Sequence, residues 1–375
     1  MKYREMGKTG LTTSLLGYGC MRFPTLEDGR INREEATKLL LKAYDNGVNY
    51  FDTAYPYHNG ESERFVGDFF EATGLRDKVY LATKLPLWKV ETLDDAKNIF
   101  EEQLSHLKTD HIDFYLLHAC NRERFEKMAA LGVPELLAEY KKEGRIKNLG
   151  FSFHDNFDAF KYILEYRDWD FCQIQLNYMD TDTQAGMAGY ELAKEKGVPM
   201  VIMEPAKGGS LTMFAPDIRK LFTDAAPDKS VASWAFRWVG SLDNVKVVLS
   251  GMTAMDQLDD NLKTFADFEP LSEEEKKVVD NVVTSVKNRV NVGCTACRYC
   301  QPCPGGVNIP RIFRLWNEFG MYNNAGHIKW AYTKEMPEAE RVSNCLECGV
   351  CESQCPQNIE IREKLKEAEA CFMSL

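Results

Sequence analysis

Eight cysteines in the last quarter of the chain fall into two tight groups, Cys294-x2-Cys297-x2-Cys300-x2-Cys303-Pro304 and Cys345-x2-Cys348-x2-Cys351-x3-Cys355-Pro356. Three thiolates at two-residue gaps let one loop wrap a cubane iron–sulfur cluster, and a fourth followed by proline points away from it. Two such groups predict two [4Fe-4S] clusters and a capacity to move single electrons. Structural zinc is the rival, but it usually takes paired C-x2-C units with four ligands per ion, which two runs ending in Cys-Pro fit less well. Disulfides are not expected, because no secretory signal opens the chain and a reducing interior is anticipated. The other cysteines, Cys20, Cys120, Cys172 and Cys371, are scattered; Cys172 lies in an apolar run and reads as core.

A second set of reactive types is spread through the first third: Asp52, Tyr57, Lys84 and His118. Together they suit carbonyl reduction, which needs a proton at oxygen as hydride arrives at carbon. A tyrosine hydroxyl is a usable acid only if its pKa falls from about 10. An adjacent ammonium stabilises the phenolate, a carboxylate keeps the ammonium charged and in place, and an imidazole can orient the substrate oxygen. Tyr55 competes with Tyr57 for the acid role but reads as a packing residue. His58 and His154 either line the site or are solvated loop histidines, the commoner case, and Glu204 is either a charge partner in the mouth or a rim salt bridge. Arg298 and Tyr299 read as packing beside the first cysteine run, and Glu273–Glu275 as a solvated helix start.

The elements that would carry these groups alternate from the start to about residue 265. Strands are expected at 14–17, 48–51, 79–82, 112–117, 146–151, 171–176, 199–203 and 245–249. Helical patterns fill the gaps, as in Arg33–Asn46, where Ala36, Leu39, Leu40 and Ala43 recur at helical spacing. Gly47, Gly144 and Gly197 close helices and lead into strands. Eight strand–helix units are the arithmetic of a (β/α)8 TIM barrel. Such barrels place their chemistry at the carboxyl ends of strands, where Asp52, Lys84, His118, Ser152 and Gln175 fall. The stretch 7–10 reads as a turn between two short strands. The expected domains are a barrel over 1–270, a bridging helix over 271–291 opened by Ser272-Glu-Glu-Glu, and a mostly helical cluster domain over 292–375.

Two resemblances rest on these residues. The second cysteine run is similar to the ligand run of bacterial-type ferredoxins, which implies one cluster on Cys294, Cys297, Cys300 and Cys355 and another on Cys345, Cys348, Cys351 and Cys303. The first run is one residue short before Cys303, which leaves that ligand in question. Asp52-Thr53-Ala54 with Tyr57, then Lys84, then His118 resembles the tetrad of the aldo-keto reductases over roughly residues 1–265, and the whole chain resembles their ferredoxin-fused branch. That resemblance implies Tyr57 as acid, Lys84 and Asp52 as its tuning groups and His118 as the group orienting substrate. It also implies cofactor contacts at Ser152, Gln175, Met203, Ser250, Gly251, Gln257 and Asn261. Three features depart from the family pattern. Ser152 is followed by Phe153-His154 rather than Asn, Met203 stands where an aromatic usually stacks on the nicotinamide, and Gly251-Met252-Thr253 and Gln257 lack basic residues to grip a 2′-phosphate. NADH is therefore expected at least as readily as NADPH. No G-x-G-x-x-G follows a strand, which excludes only the commonest nicotinamide site. A flavin at the last two strands' loops is the alternative cofactor.

Net charge is −11 over 375 residues, which argues against a nucleic-acid partner. No run of 18 apolar residues is present, so no membrane span is expected, and the anticipated setting is the cytoplasm. A hydride carries two electrons and a cluster passes one, so three readings follow. The first is an oxidoreductase of a small carbonyl or quinone-like substrate whose clusters exchange electrons with the barrel site, a ferredoxin or another redox partner. The second is a plain NAD(P)H-dependent carbonyl reductase with structural clusters. The third is a non-enzymatic redox sensor or scaffold.

Overall fold

The computed structural model describes residues 1–375. An antiparallel hairpin, β1 (Tyr3–Glu5) and β2 (Thr12–Ser14), precedes eight parallel strands. These are β3 (Leu16–Gly19), β4 (Tyr50–Asp52), β5 (Tyr80–Pro86), β6 (Ile112–Cys120), β7 (Ile146–Phe153), β8 (Phe171–Gln175), β9 (Met200–Met203) and β10 (Val245–Ser250), closed by the β10–β3 pairing. Every expected strand is present, and the barrel is closed as the strand count implied. The helices between the strands are α1 (Arg33–Asp45), α2 (Glu61–Thr73), α3 (Leu93–Leu107), α4 (Arg122–Ala130), α5 (Val133–Lys142), α6 (Phe157–Tyr166), α7 (Gly186–Glu195), α8 (Pro216–Ala225) and α9 (Val231–Gly240), and α10 (Met255–Ala266) follows β10.

Local sequence explains where many of them begin. Asn32, Asn121 and Asn156 accept backbone N–H groups at the starts of α1, α4 and α6, and Thr92 with Asp95 forms a reciprocal capping box on α3. Strands covered on both faces read as continuous apolar runs. One face of each packs against the helices. The other fills the barrel with Tyr50, Ala82, Phe114, Leu116, Phe171, Val201, Val247 and Leu249, joined by Met6 from the hairpin. Gly67 lets α2 approach α3, since a Cβ there would lie 2.2 Å from the His106 carbonyl oxygen.

The chain divides into two compact units, residues 1–207 with 232–272, and residues 208–231 with 273–375. The second holds α8, α11 (Glu273–Lys287), α12 (Ile309–Tyr322), α13 (Ala325–Trp330), α14 (Val350–Ser353) and α15 (Ile361–Ser374). Within it, an Arg289–Asp217 ion pair and the Phe214–Tyr322 ring contact tie the 208–231 segment to the tail. Its core is built from Val307, Ile312, Phe313, Leu315, Ile328, Tyr332, Leu365 and Phe372 among others. No helix is long and apolar enough to cross a membrane.

Candidate active site and cluster ligands

Strand alternation places the polar groups. Residues two apart share a face, so the face that carries Tyr50, Ala82, Phe114, Leu116, Phe171 and Val201 into the barrel continues to Asp52, Lys84, His118, Gln173, Gln175 and Met203. The interior is apolar below and polar at the carboxyl ends.

Lys84 is fully buried, and its ammonium donates to Asp52 Oδ1 at 2.6 Å, to the Thr53 carbonyl at 2.7 Å and to the Tyr57 hydroxyl at 3.5 Å. Gln173 Nε2 donates to the second Asp52 oxygen at 3.2 Å. Burial raises the Asp52 pKa against the pull of Lys84. Burial works to lower Lys84, but Asp52 and Tyr57 outweigh it and hold the ammonium above its ordinary value. Tyr57 differs from the expectation: burial raises its hydroxyl, and the nearby Lys84, at the long end of hydrogen-bond distance, lowers it less than burial raises it. Tyr55 instead donates to Glu102 at 3.0 Å, and His58 accepts the Phe23 N–H at 3.2 Å.

His118 leaves β6 at an irregularity. The β6–β7 register shifts between Leu117 and Cys120, and Ala119 has φ 52°, a conformation uncommon for a residue with a side chain. The Ala119 N–H donates to Ser152 Oγ at 2.8 Å, so the last inward residue of β7 holds the kink. The His118 ring meets the Tyr57 ring edge-on at 6.2 Å and Trp88 at 5.1 Å. Its Nδ1 is buried without a protein hydrogen-bond partner. Burial, then Lys84, His154 and Arg124, push the imidazole well below its ordinary pKa.

The residues expected on the cofactor side are partly engaged within the protein. Ser250 Oγ accepts from Asn261 Nδ2 at 3.0 Å, and Gln257 Oε1 accepts the Thr253 and Ala254 N–H groups at the start of α10. Gly251 packs under the Arg22 stem, 3.1 Å from where a Cβ would sit, while Gln175 and Met203 are half-buried at their strand ends. Gln173 was not anticipated; in Phe171-Cys-Gln-Ile-Gln, Gln175 drew attention by standing at the strand end. Nor was a buried group behind β5, in which Glu63 Oε1 accepts from Thr83 and Gln103, both at 2.6 Å, and Tyr115 donates to Gln103. Gln103 also donates to the Lys84 carbonyl at 3.1 Å.

In the second unit, Cys294, Cys297, Cys300 and Cys355 line one pocket with Ile309, Pro310, Phe313, Ile359 and Ile361, and with Thr295, Arg298 and Gln357. These four thiols on a mainly apolar pocket have the donor chemistry of a cubane site, and they are the four that the ferredoxin pattern groups. Cys303, whose short spacing left its role in question, lies near enough to Cys351 to act on it: burial first, then Glu352 and Cys303, push the Cys351 thiol up to about 11. Cys294, Cys300, Cys303, Cys345, Cys351 and Cys355 pack against the core of the unit, and Cys297 and Cys348 are exposed.

A closed parallel barrel with a Lys–Asp–Tyr contact and a histidine at its carboxyl end, followed by clustered cysteines, describes an oxidoreductase with an iron–sulfur tail. The aldo/keto reductase family model matches residues 15–284, and the chain belongs to that family. A 4Fe-4S dicluster domain matches residues 293–360, which supports iron–sulfur clusters at the cysteine groups. The chain is 25% identical to an uncharacterized oxidoreductase, YqkF, of Bacillus subtilis over 75% of its length and 96% of the relative's. It is 23% identical to L-galactose dehydrogenase of Arabidopsis thaliana over 77% of its length and 96% of the relative's. Among solved structures, it matches the holo form of an aldo-keto reductase from Bacillus halodurans with TM-score 0.64 and 26% identity, covering 75% of this chain and 96% of that one.

Proposed function

We propose that the chain reduces a carbonyl or quinone-like compound with a nicotinamide dinucleotide, Tyr57 delivering the proton, and that the tail clusters exchange electrons with the barrel site or with a ferredoxin or other redox partner. The observation that carries this is the unbroken contact from Asp52 through the buried Lys84 to the Tyr57 hydroxyl.

A nicotinamide held at these strand ends would supply hydride for the carbonyl carbon, and the proton falls to the protein. Burial raises the Tyr57 hydroxyl in the free chain, so the fall in pKa that the acid role needs has to come from Lys84 in the reacting complex, where Tyr57 gives its proton to the substrate oxygen as negative charge gathers there. The phenolate left behind is stabilised by the Lys84 ammonium, which Asp52 holds in place. His118, neutral because of its depressed pKa, directs the substrate oxygen toward Tyr57, and Ser152 supports it through Ala119. Ser152, Gln175, Met203, Ser250, Gly251, Gln257 and Asn261 are the proposed dinucleotide contacts. Clusters bound by the two cysteine groups would supply single-electron transfer.

The test is the anaerobic visible spectrum of the cluster-loaded chain before and after NADH or NADPH. Bleaching supports electron exchange between the dinucleotide and the clusters. An unchanged spectrum with carbonyl turnover favours a plain reductase with structural clusters, a reading supported by six of the eight cysteines packing against the tail core.

A further inference from the structure

Helix α4 carries three cations beyond the end of β6, and two are neutralised. Arg122 pairs with Glu126, and Lys127 pairs with Glu91 at 2.6 Å. Arg124 has no carboxylate partner. One of its nitrogens, Nη1, donates to the Ala119 carbonyl at 3.1 Å, and its guanidinium carbon stands 5.9 Å from the Trp88 ring centroid. Trp88 is 42% exposed, a large area for an indole, and its other neighbour is the His118 ring at 5.1 Å. Tyr57 and His118, His118 and Trp88, and Trp88 and Arg124 are thus successive neighbours.

Resting on the reading of Tyr57 and His118 above, we propose that Trp88 and Arg124 form a recognition site for planar carbonyl compounds that bear a carboxylate distal to the carbonyl. With the carbonyl oxygen at Tyr57 and His118, the body of a flat molecule lies along the indole. Its far end then reaches the guanidinium. The Ala119 contact engages one part of the fork and fixes its orientation, and the remaining N–H groups suit the two oxygens of one carboxylate. The charges facing Arg124 do not quench it. The neighbouring His154 is held below its ordinary pKa, by burial first and with Arg124 contributing, and Glu204, the acid acting on His154, is exposed.

The experiment uses the full cluster-loaded chain, prepared without oxygen, and the pair 4-carboxybenzaldehyde and methyl 4-formylbenzoate. Affinity is read by calorimetry and kcat/KM by turnover. The carboxylate should be favoured about tenfold, the size of one charge-assisted contact. Arg124→Gln should collapse the ratio toward one, Trp88→Ala should weaken both compounds, and Arg122→Gln should keep the ratio. Equal binding of the two compounds, binding of neither, or a ratio that survives Arg124→Gln would overturn the proposal. Discrimination in the calorimeter without turnover would count against the role given to Tyr57 and support the recognition site.

Discussion

Gln173 donates to Asp52 Oδ2 while Lys84 donates to Asp52 Oδ1, so each oxygen of a buried carboxylate is held by a different strand. The carboxylate cannot swing away from the ammonium without breaking the second contact. This explains how a buried ion pair that costs desolvation stays in one geometry.

Removing the neutral partner should expose that dependence. Gln173→Leu leaves Asp52 Oδ2 without its donor in an apolar interior, and the expected loss is about 1–3 kcal/mol of stability. Urea unfolding measures it. Steady-state turnover of the same variant should fall with KM little changed, since Gln173 acts through Asp52.

Lys84→Met should be worse, because it strands a buried carboxylate; about 3–5 kcal/mol is the expected cost. Adding Asp52→Leu should restore much of that stability but none of the turnover. Recovery of activity in the double variant would contradict the role assigned to the pair.

Tyr57→Phe retains the ring against His118 and removes only the hydroxyl. Turnover should drop by about 10²–10⁴, the usual worth of a positioned acid, with the unfolding midpoint nearly unmoved. Unchanged turnover would transfer the proton donor to another group.

The pH dependence has a defined sign. His118 has its pKa depressed by burial and by Lys84, His154 and Arg124, and His154 is also lowered, chiefly by burial. The unfolded chain binds protons to these imidazoles more readily than the folded one does. Stability should therefore be full above the ordinary histidine value of about 6.5 and decline as pH falls below it. Urea midpoints at pH 5 and pH 7 should converge in His118→Asn and converge further when His154→Asn is added.

Cys355→Ser should remove one cluster and about half the iron of the anaerobically purified chain, whereas Cys371→Ser should leave the iron content unchanged. Chelation of all iron should loosen the tail, since metal binding and folding are coupled in small cysteine-rich units. Far-UV circular dichroism would report that loss.

The legible and illegible parts of this molecule divide along physical lines. The barrel strands could be read because both faces are covered and each becomes an apolar run, and Asp52, Lys84 and His118 stood out as polar breaks where those runs end. Gln173 lies one inward step below the rim, where nothing local separates a buried amide from a solvated one. Glu63 sits on an amphipathic helix and reads as a solvated charge, although it is fully buried. The kink at Ala119 uses no glycine, so its left-handed backbone leaves no mark in the chain. The grouping of 208–231 with the tail comes from contacts such as Arg289 with Asp217, 72 residues apart, which no local pattern encodes.

The strands are unequal in length. β5, β6 and β7 run for seven, nine and eight residues, while β4 and β9 have three and four. Lys84, His118 and Ser152 therefore ride on the ladder of the three longest strands, whose register shifts beside His118, while Asp52 and Met203 end two of the shortest. In hydrogen–deuterium exchange the long ladder should be the last to open and the short strands among the first. A partly unfolded chain would then keep Lys84, His118 and Ser152 on their strands after Asp52 and Tyr57, at and just beyond the end of the three-residue β4, had let go.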